Sequence, residues 1–400
     1  MRPAGGVVDA AAPRAVSGAT TALLAFGCGL IVANIYYAQP LAGPIGAALS
    51  IAPAATGLIV TLTQVGYGLG LLFIVPLADL LDARRLAVAL VGLAALTLLG
   101  QGLSTRPWTF LACAFGVGVA SVAVQVLVLI AAHLAPEAAR GRVVGNVMSG
   151  LMLGIMLARP LSSTIAQTLT WHTVFFASSG AMALLACGLR VALPRHAPDS
   201  AMPYAALLAS MARLARTTPI LQRRALYQAL LFAAFSVFWT TVPLLLAGPE
   251  FGLSQAGIAL FGVAGVAGAI ASPMAGRWAD RGWGRAASVA AMLLALGAFA
   301  LSRCGAYGSP RALACLASAG IALDFGVTLN LVVGQRAIFA LGAATRARLN
   351  GLYMATFFAG GALGSALGAL VFARAGWSGV SWLGMALPGA ALLCFATLRR

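Results

Sequence analysis

Two charged side chains stand in the middle of long apolar runs: Arg159 in MLGIMLARPLSS and Asp324 in ASAGIALDFGVTLN. A charge at the centre of a membrane helix costs about 2.5 to 3.5 kcal/mol on insertion scales, so such residues usually face a cavity or a partner and serve function. Withdrawal from water disfavours the charged form of a carboxylate. Asp324, with Thr328 one turn on and Asn330 beyond it, is therefore suited to take up a proton on one side and release it on the other. Arg159, just before Pro160, offers a permanent cation that could hold an anionic substrate group or pair with Asp324.

Uncharged polar residues recur in the neighbouring apolar runs. Asn34, Tyr36, Tyr37 and Gln39 close the first run, Gln125 lies in the fourth, and Tyr227, Gln228, Trp239, Thr240 and Thr241 lie in the seventh. Together they would line a mostly apolar cavity with a few hydrogen-bonding groups, the kind of site that takes a small amphipathic molecule. Aromatic residues at run ends also act as interface anchors, the reading given to Trp377, and His133 reads as an interfacial histidine. An enzyme would need a catalytic constellation, and the chain has no HExxH, no GxSxG with partners and no clustered acids. It has no lysine at all, which excludes a phosphate-cradling GxxxxGK[ST] loop. The six cysteines, Cys28, Cys113, Cys187, Cys304, Cys315 and Cys394, show no CxxC spacing and read as small packing residues. No cofactor or metal is expected.

The elements that must position these residues are membrane helices. The chain has 400 residues, of which 61% are hydrophobic and 8% charged, with a mean hydropathy of +0.97. That composition is far from the roughly one-quarter charged residues of a soluble domain. Apolar runs near the roughly 20-residue length needed to cross a bilayer are expected at 20–42, 54–78, 86–104, 108–134, 143–167, 173–191, 225–247, 255–275, 286–303, 311–334, 350–372 and 380–397. All 25 basic residues are arginine, and 20 of them fall on the side that holds both termini if the N-terminus is cytoplasmic, against four on the other. This asymmetry is the positive-inside pattern. The net charge of +17 thus reports topology, and nucleic acid is not an expected partner. The expected setting is the lipid bilayer of a bacterial inner membrane, with a monomer as the working unit.

The sequence is also written twice. PLADLLDARR at 76–85 lies over RWADRGWGRA at 277–286, placing Asp79 on Asp280 and Arg84 on Arg285. AARGRVVGNVMSGLMLG at 138–154 aligns with ATRARLNGLYMATFFAG at 344–360, placing Gly154 on Gly360, and Pro40 corresponds to Pro243. Two six-span halves follow, at 20–191 and 225–400, with a tail at 1–19 and a cytoplasmic linker at 192–224. Within the linker Tyr204, Leu207, Leu208, Met211 and Leu214 recur at helical spacing, so a short amphipathic helix on the inner membrane surface is expected. Gly150 with Gly154, and Gly360 with Gly364, give the small-xxx-small spacing that lets helices approach closely.

Parallel six-span repeats are the architecture of the major facilitator superfamily, and the chain resembles it in detail. GRWADRGWGR at 276–285 resembles that family's loop signature, Gly-x-x-x-Asp-Arg-x-Gly-x-Arg; the first copy has Leu80 where arginine is expected and lacks the glycine. ANIYYAQPL at 33–41 and ARLNGLYMATFFAGGALGS at 347–365 look like a bacterial twelve-span branch of drug and sugar efflux-type permeases. The resemblance implies an all-α fold of twelve membrane helices in two pseudo-symmetric bundles, and secondary transport by alternating access. It implies a gating loop made of Asp79, Arg84, Arg85, Gly276, Asp280, Arg281 and Arg285, with Asp79 facing the span that opens near Asn350 and Asp280 the one near Val143. Two features depart from related exporters: Arg159 replaces the glycine of a Gly-Pro motif in the fifth span, and LACAFGVGVASVAVQ in the fourth carries no arginine. The expected function is proton-coupled export of a small organic or amphipathic compound, the alternative being proton-coupled uptake of a sugar or organic acid.

Overall fold

The computed structural model describes residues 18–194, 203–263, 277–278, 281, 283–342 and 345–397, and among these it is helical with no strand. The helices are α1 (Gly18–Ala33), α2 (Ala42–Ala48), α3 (Leu58–Phe73), α4 (Ala83–Leu103), α5 (Pro107–Ser121), α6 (Ala123–Leu134), α7 (Arg140–Thr168) and α8 (Trp171–Ala192) in the first half. After α9 (Tyr204–Thr217) in the linker come α10 (Pro219–Ala247), α11 (Gln255–Gly262), α12 (Gly284–Leu301), α13 (Pro310–Phe339) and α14 (Arg346–Thr397). Nine helical stretches among the described residues are long and apolar enough to cross a membrane. One of them, α14, turns at Gly376, where φ is 58°, and so covers both the eleventh and the twelfth expected spans. Glycine reaches that left-handed φ without steric cost. The eighth expected span begins as α11 and continues into residues outside the described set.

Apolar side chains point outward as well as inward. Leu96, Leu184, Leu260 and Leu393 are each more than two-thirds exposed, which water would penalise and hydrocarbon does not. With lipid outside, helix association rests on close packing. Gly150 and Gly154 of α7 lie against the backbone of Ala25 and Gly29 in α1, and Gly360 and Gly364 of α14 lie against Ala229 and Ala233 in α10. A Cβ at any of these four glycines would strike the facing carbonyl. The packing makes Gly150 the counterpart of Gly360 and Gly154 that of Gly364, one turn on from the sequence alignment.

Two sequence expectations need correction and a third gains detail. The first span, expected to run to residue 42, leaves the α-helix at Ala33: Asn34, Ile35 and Tyr36 donate to carbonyls three residues back, and Gln39 and Leu41 do the same. Pro40 has no N–H to give and its ring opposes a helical carbonyl four residues earlier, so the chain tightens into 3₁₀-type turns. The linker helix α9 forms at Tyr204–Thr217, and one face of it docks on the protein. Leu207 and Met211 are buried, the Tyr204 hydroxyl donates to the Phe73 carbonyl at 2.6 Å, and Arg348 donates to Ser210 Oγ at 2.8 Å. It thereby straps the end of α3 to the start of α14. Trp377 is buried, not interfacial, and its indole donates to the Ser302 carbonyl at 3.3 Å.

The two halves meet along α3 and α14. Thr61 Oγ1 donates to the Ala362 carbonyl at 3.1 Å, and the Tyr67 and Phe358 rings lie 4.4 Å apart. On the other side α11 meets α7, where a Cβ on Gly262 would sit 3.5 Å from that of Arg159.

Candidate functional site

The turn that ends α1 aims Tyr36 and Gln39 at Arg159. From α7, the Arg159 Nε–H donates to Gln39 Oε1 at 2.8 Å, and its guanidinium carbon lies 5.2 Å from the Tyr36 ring centre. From the second half, α10 supplies Trp239 at 4.3 Å and Phe235 at 5.3 Å to the same carbon. A cation over aromatic faces gains about 0.5 to 2 kcal/mol, more as water is excluded. Arg159 is 5% exposed and Gln39 1%. The Arg159 Nη2 and Gln39 Nε2 groups are buried without a hydrogen-bond partner. Pro160 follows Arg159 inside α7 and frees a carbonyl one turn back, the kind of break that membrane helices accommodate next to sites.

Asp324 of α13 is also 5% exposed, and its Oδ1 accepts the Trp239 indole N–H at 2.7 Å. Trp239 therefore touches both charges, its face toward Arg159 and its edge bonded to Asp324, and no ion pair joins the two directly among the described residues. Phe261 of α11 packs edge-on at 6.1 Å from the Trp239 ring. The cluster thus draws Tyr36, Gln39 and Arg159 from one half and Phe235, Trp239, Phe261 and Asp324 from the other.

Other expected cavity residues are bonded elsewhere. Asn34 accepts from Ser178 in α8. Gln125 donates to the Tyr67 hydroxyl at 3.2 Å. Asn330 donates to Gln228 Oε1 at 2.7 Å, and Gln228 donates to the Val327 carbonyl at 3.2 Å. Thr240 bonds Ser365 at 2.9 Å. These pairs stitch helices together at other levels; Tyr37 is buried, and Thr328 only partly. Sequence reading missed Phe235, Phe261 and Gln64, which donates to Ser236 Oγ across the halves at 3.2 Å. The seventh-span period placing Phe235 one turn before Trp239 was the available signal for the first of these.

At the loop motif, Asp82 caps α4 by accepting from the Arg84 N–H at 3.0 Å, and it pairs with Arg85 at 3.7 Å. A side-chain oxygen at this position satisfies a helix-end donor. Arg84 reaches the Arg190 carbonyl at the end of α8. Asp79 ends a 3₁₀ turn at Val75–Asp79. In the second copy Arg281 lies 5.8 Å over Trp283 and Arg285 5.3 Å over Phe395, while Gly276 and Asp280 lie outside the described residues. All six cysteines are free.

A bundle of long apolar helices that buries an arginine and an acid against the face and edge of one tryptophan is that of a polytopic membrane protein. The family model of the Major Facilitator Superfamily matches residues 21–345 and 225–400, and the chain belongs to that family. It is 38% identical over 369 residues to the uncharacterized transporter YgaY of Escherichia coli O157:H7, covering 92% of this chain and 93% of that one. It is 32% identical over 359 residues to the probable transporter SCO4007 of Streptomyces coelicolor, covering 90% and 82%. Among solved structures a mutant of the nucleoside transporter NupG aligns with a TM-score of 0.78 at 13% identity, covering 95% of this chain and all of that one. A bacterial homolog of the human lysosomal transporter Spinster, inward-facing and occupied, aligns at 0.72 and 15% identity over 94% and 95%. The protein is a multi-pass membrane transporter and not an enzyme, with the superfamily's two-bundle fold.

Proposed function

We propose that this transporter exports a small amphipathic organic compound in exchange for protons by alternating access, from the bacterial inner membrane, as a monomer with both termini in the cytoplasm. The observation that carries the reading is the Arg159–Trp239–Asp324 cluster, which spans the two halves and is withdrawn from water. Rocking of one half against the other would separate Arg159 from the indole and expose Asp324 to one side. A carboxylate that alternates between a closed apolar site and water changes its preference for a proton at each step, which is what coupling requires. The unpartnered Arg159 Nη2 and Gln39 Nε2 donors favour a substrate with an acceptor-rich or acidic group and an apolar body that fits the aromatic walls. The same donors support the second reading, proton-coupled uptake of an organic acid.

Purified protein in sealed vesicles with an imposed pH gradient tests both. A compound library is screened for substrates that show counterflow, and wild type is compared with Asp324→Asn. The expected result is counterflow in both and a response to the gradient in wild type only. A gradient response in both would remove Asp324 from coupling, and the direction of proton-driven accumulation decides between export and uptake.

A further inference from the structure

The arginine-rich end of the second half carries a cavity that the transport site does not use. It has a volume of about 690 Å³ and is lined by Arg224, Arg285, Arg336 and Arg346 beside Val333 and Phe339. A second cavity of about 290 Å³ shares Arg224 and Arg285 and adds Arg223 and Phe395. The arginines arrive from four helices: Arg224 from the first turns of α10, Arg285 from the start of α12, Arg336 from the last turn of α13 and Arg346 from the first residue of α14. Three of them have guanidinium groups held in place. Arg224 donates to Ser288 Oγ at 2.7 Å, Arg285 lies 5.3 Å over Phe395, and Arg346 lies 5.6 Å over Phe339.

No carboxylate is among the described residues that line either cavity. Like charges gathered around one space repel, and an anionic phosphate between them offsets that repulsion. Guanidinium groups present planar forks that match phosphate oxygens. The larger space is of the size that takes a whole small molecule, and its Val333 and Phe339 wall gives apolar contact beside the charges. Its place at the end that the arginine distribution assigns to the cytoplasm puts it at headgroup depth, where basic pockets between membrane helices hold acidic lipids. We propose that this cavity binds the phosphate headgroup of an anionic phospholipid, with Arg285 and Arg346 as its principal ligands. Because α10, α12, α13 and α14 all contribute, a bound headgroup would tie together the inner ends of the second bundle.

The test uses the full-length protein in neutral detergent, followed by thermal melting during titration with phosphatidylglycerol, phosphatidylcholine or inorganic phosphate. Wild type should melt at saturably higher temperature with phosphatidylglycerol and show little response to the other two. The Arg285→Gln, Arg346→Gln double variant should need about tenfold more phosphatidylglycerol for the same shift, the loss of charge-assisted phosphate contacts, while Arg106→Gln at the opposite end should respond as wild type. If the double variant does not purify, native mass spectrometry of lipid retained by wild type and by Arg346→Gln makes the same comparison. Equal retention, an unaltered variant titration, or a wild-type preference no greater than for phosphatidylcholine would overturn the assignment. An equal response to inorganic phosphate would overturn the lipid as its source.

Discussion

At the scale of single residues, Trp239 does two jobs that can be separated. Its ring face carries Arg159 at 4.3 Å, and its N–H bonds Asp324 at 2.7 Å. Trp239→Phe keeps an aromatic wall and removes only the donor. A hydrogen bond to a charged group contributes about 1.5 to 3 kcal/mol, so the variant should lose about tenfold or more in gradient-driven flux. Counterflow, which needs binding but no proton cycle, should persist. If flux and counterflow fall together, the indole serves the substrate and not the acid. Asp324, Arg159 and Trp239 were all visible in the sequence as candidates, since charge inside apolar runs is rare and easily seen. The relation between them was not, because a tryptophan in a membrane helix looks the same whether its N–H meets an acid or a carbonyl. Nor could hydropathy tell that Asn34, Gln125 and Asn330 would each bond a neighbouring side chain, Ser178, Tyr67 and Gln228.

At the scale of helices, apolar length was enough to place most spans, since a run of about 20 such residues has few other fates. What it could not place was where a run ceases to be helical. Ile35 and Tyr36 are as apolar in a 3₁₀ turn as in an α-helix, so the early end of α1 at Ala33 left no mark beyond Pro40. The docking of α9 was hidden for a related reason: the face that buries Leu207 and Met211 would suit lipid equally well. The small-residue contacts were legible as spacing, and they lead to a paired prediction. Gly154 abuts the Gly29 backbone, whereas a Cβ on Gly180 in α8 would meet nothing within 4 Å. Gly154→Ala should force α1 and α7 apart and destabilise by about 1 to 3 kcal/mol, as overpacking does. Gly180→Ala should be neutral or gain up to about 1 kcal/mol of helix propensity. Thermal melting of the two purified variants checks this, and equal shifts would mean that α1 and α7 are not in tight contact.

At the scale of the molecule, transport by alternating access demands that contacts between the halves break at one end while they hold at the other. The seam of α3 with α14 is the place to look. Thr61 bonds Ala362, Tyr67 meets Phe358, and α9 ties the end of α3 to the start of α14. This strap is a single short helix outside both bundles, joined to them through Tyr204, Arg348 and the buried Leu207 and Met211, so it can yield without unpacking either bundle. About midway along this seam a Cβ on Gly68 would stand 3.7 Å from that of Phe358, within the roughly 3.5 to 4.5 Å that a disulfide spans. With the six native cysteines replaced, Gly68→Cys with Phe358→Cys should oxidise readily and hold the halves together there. Flux in vesicles should fall by about tenfold or more on oxidation, as expected when a μs–ms conformational step is blocked, and return with reductant. The reduced double variant controls for loss of the Phe358 ring. Full transport by the cross-linked protein would show that α3 and α14 never part at this level, and the rocking of two halves around Arg159 and Asp324 would have to be abandoned in favour of a motion confined to individual helices.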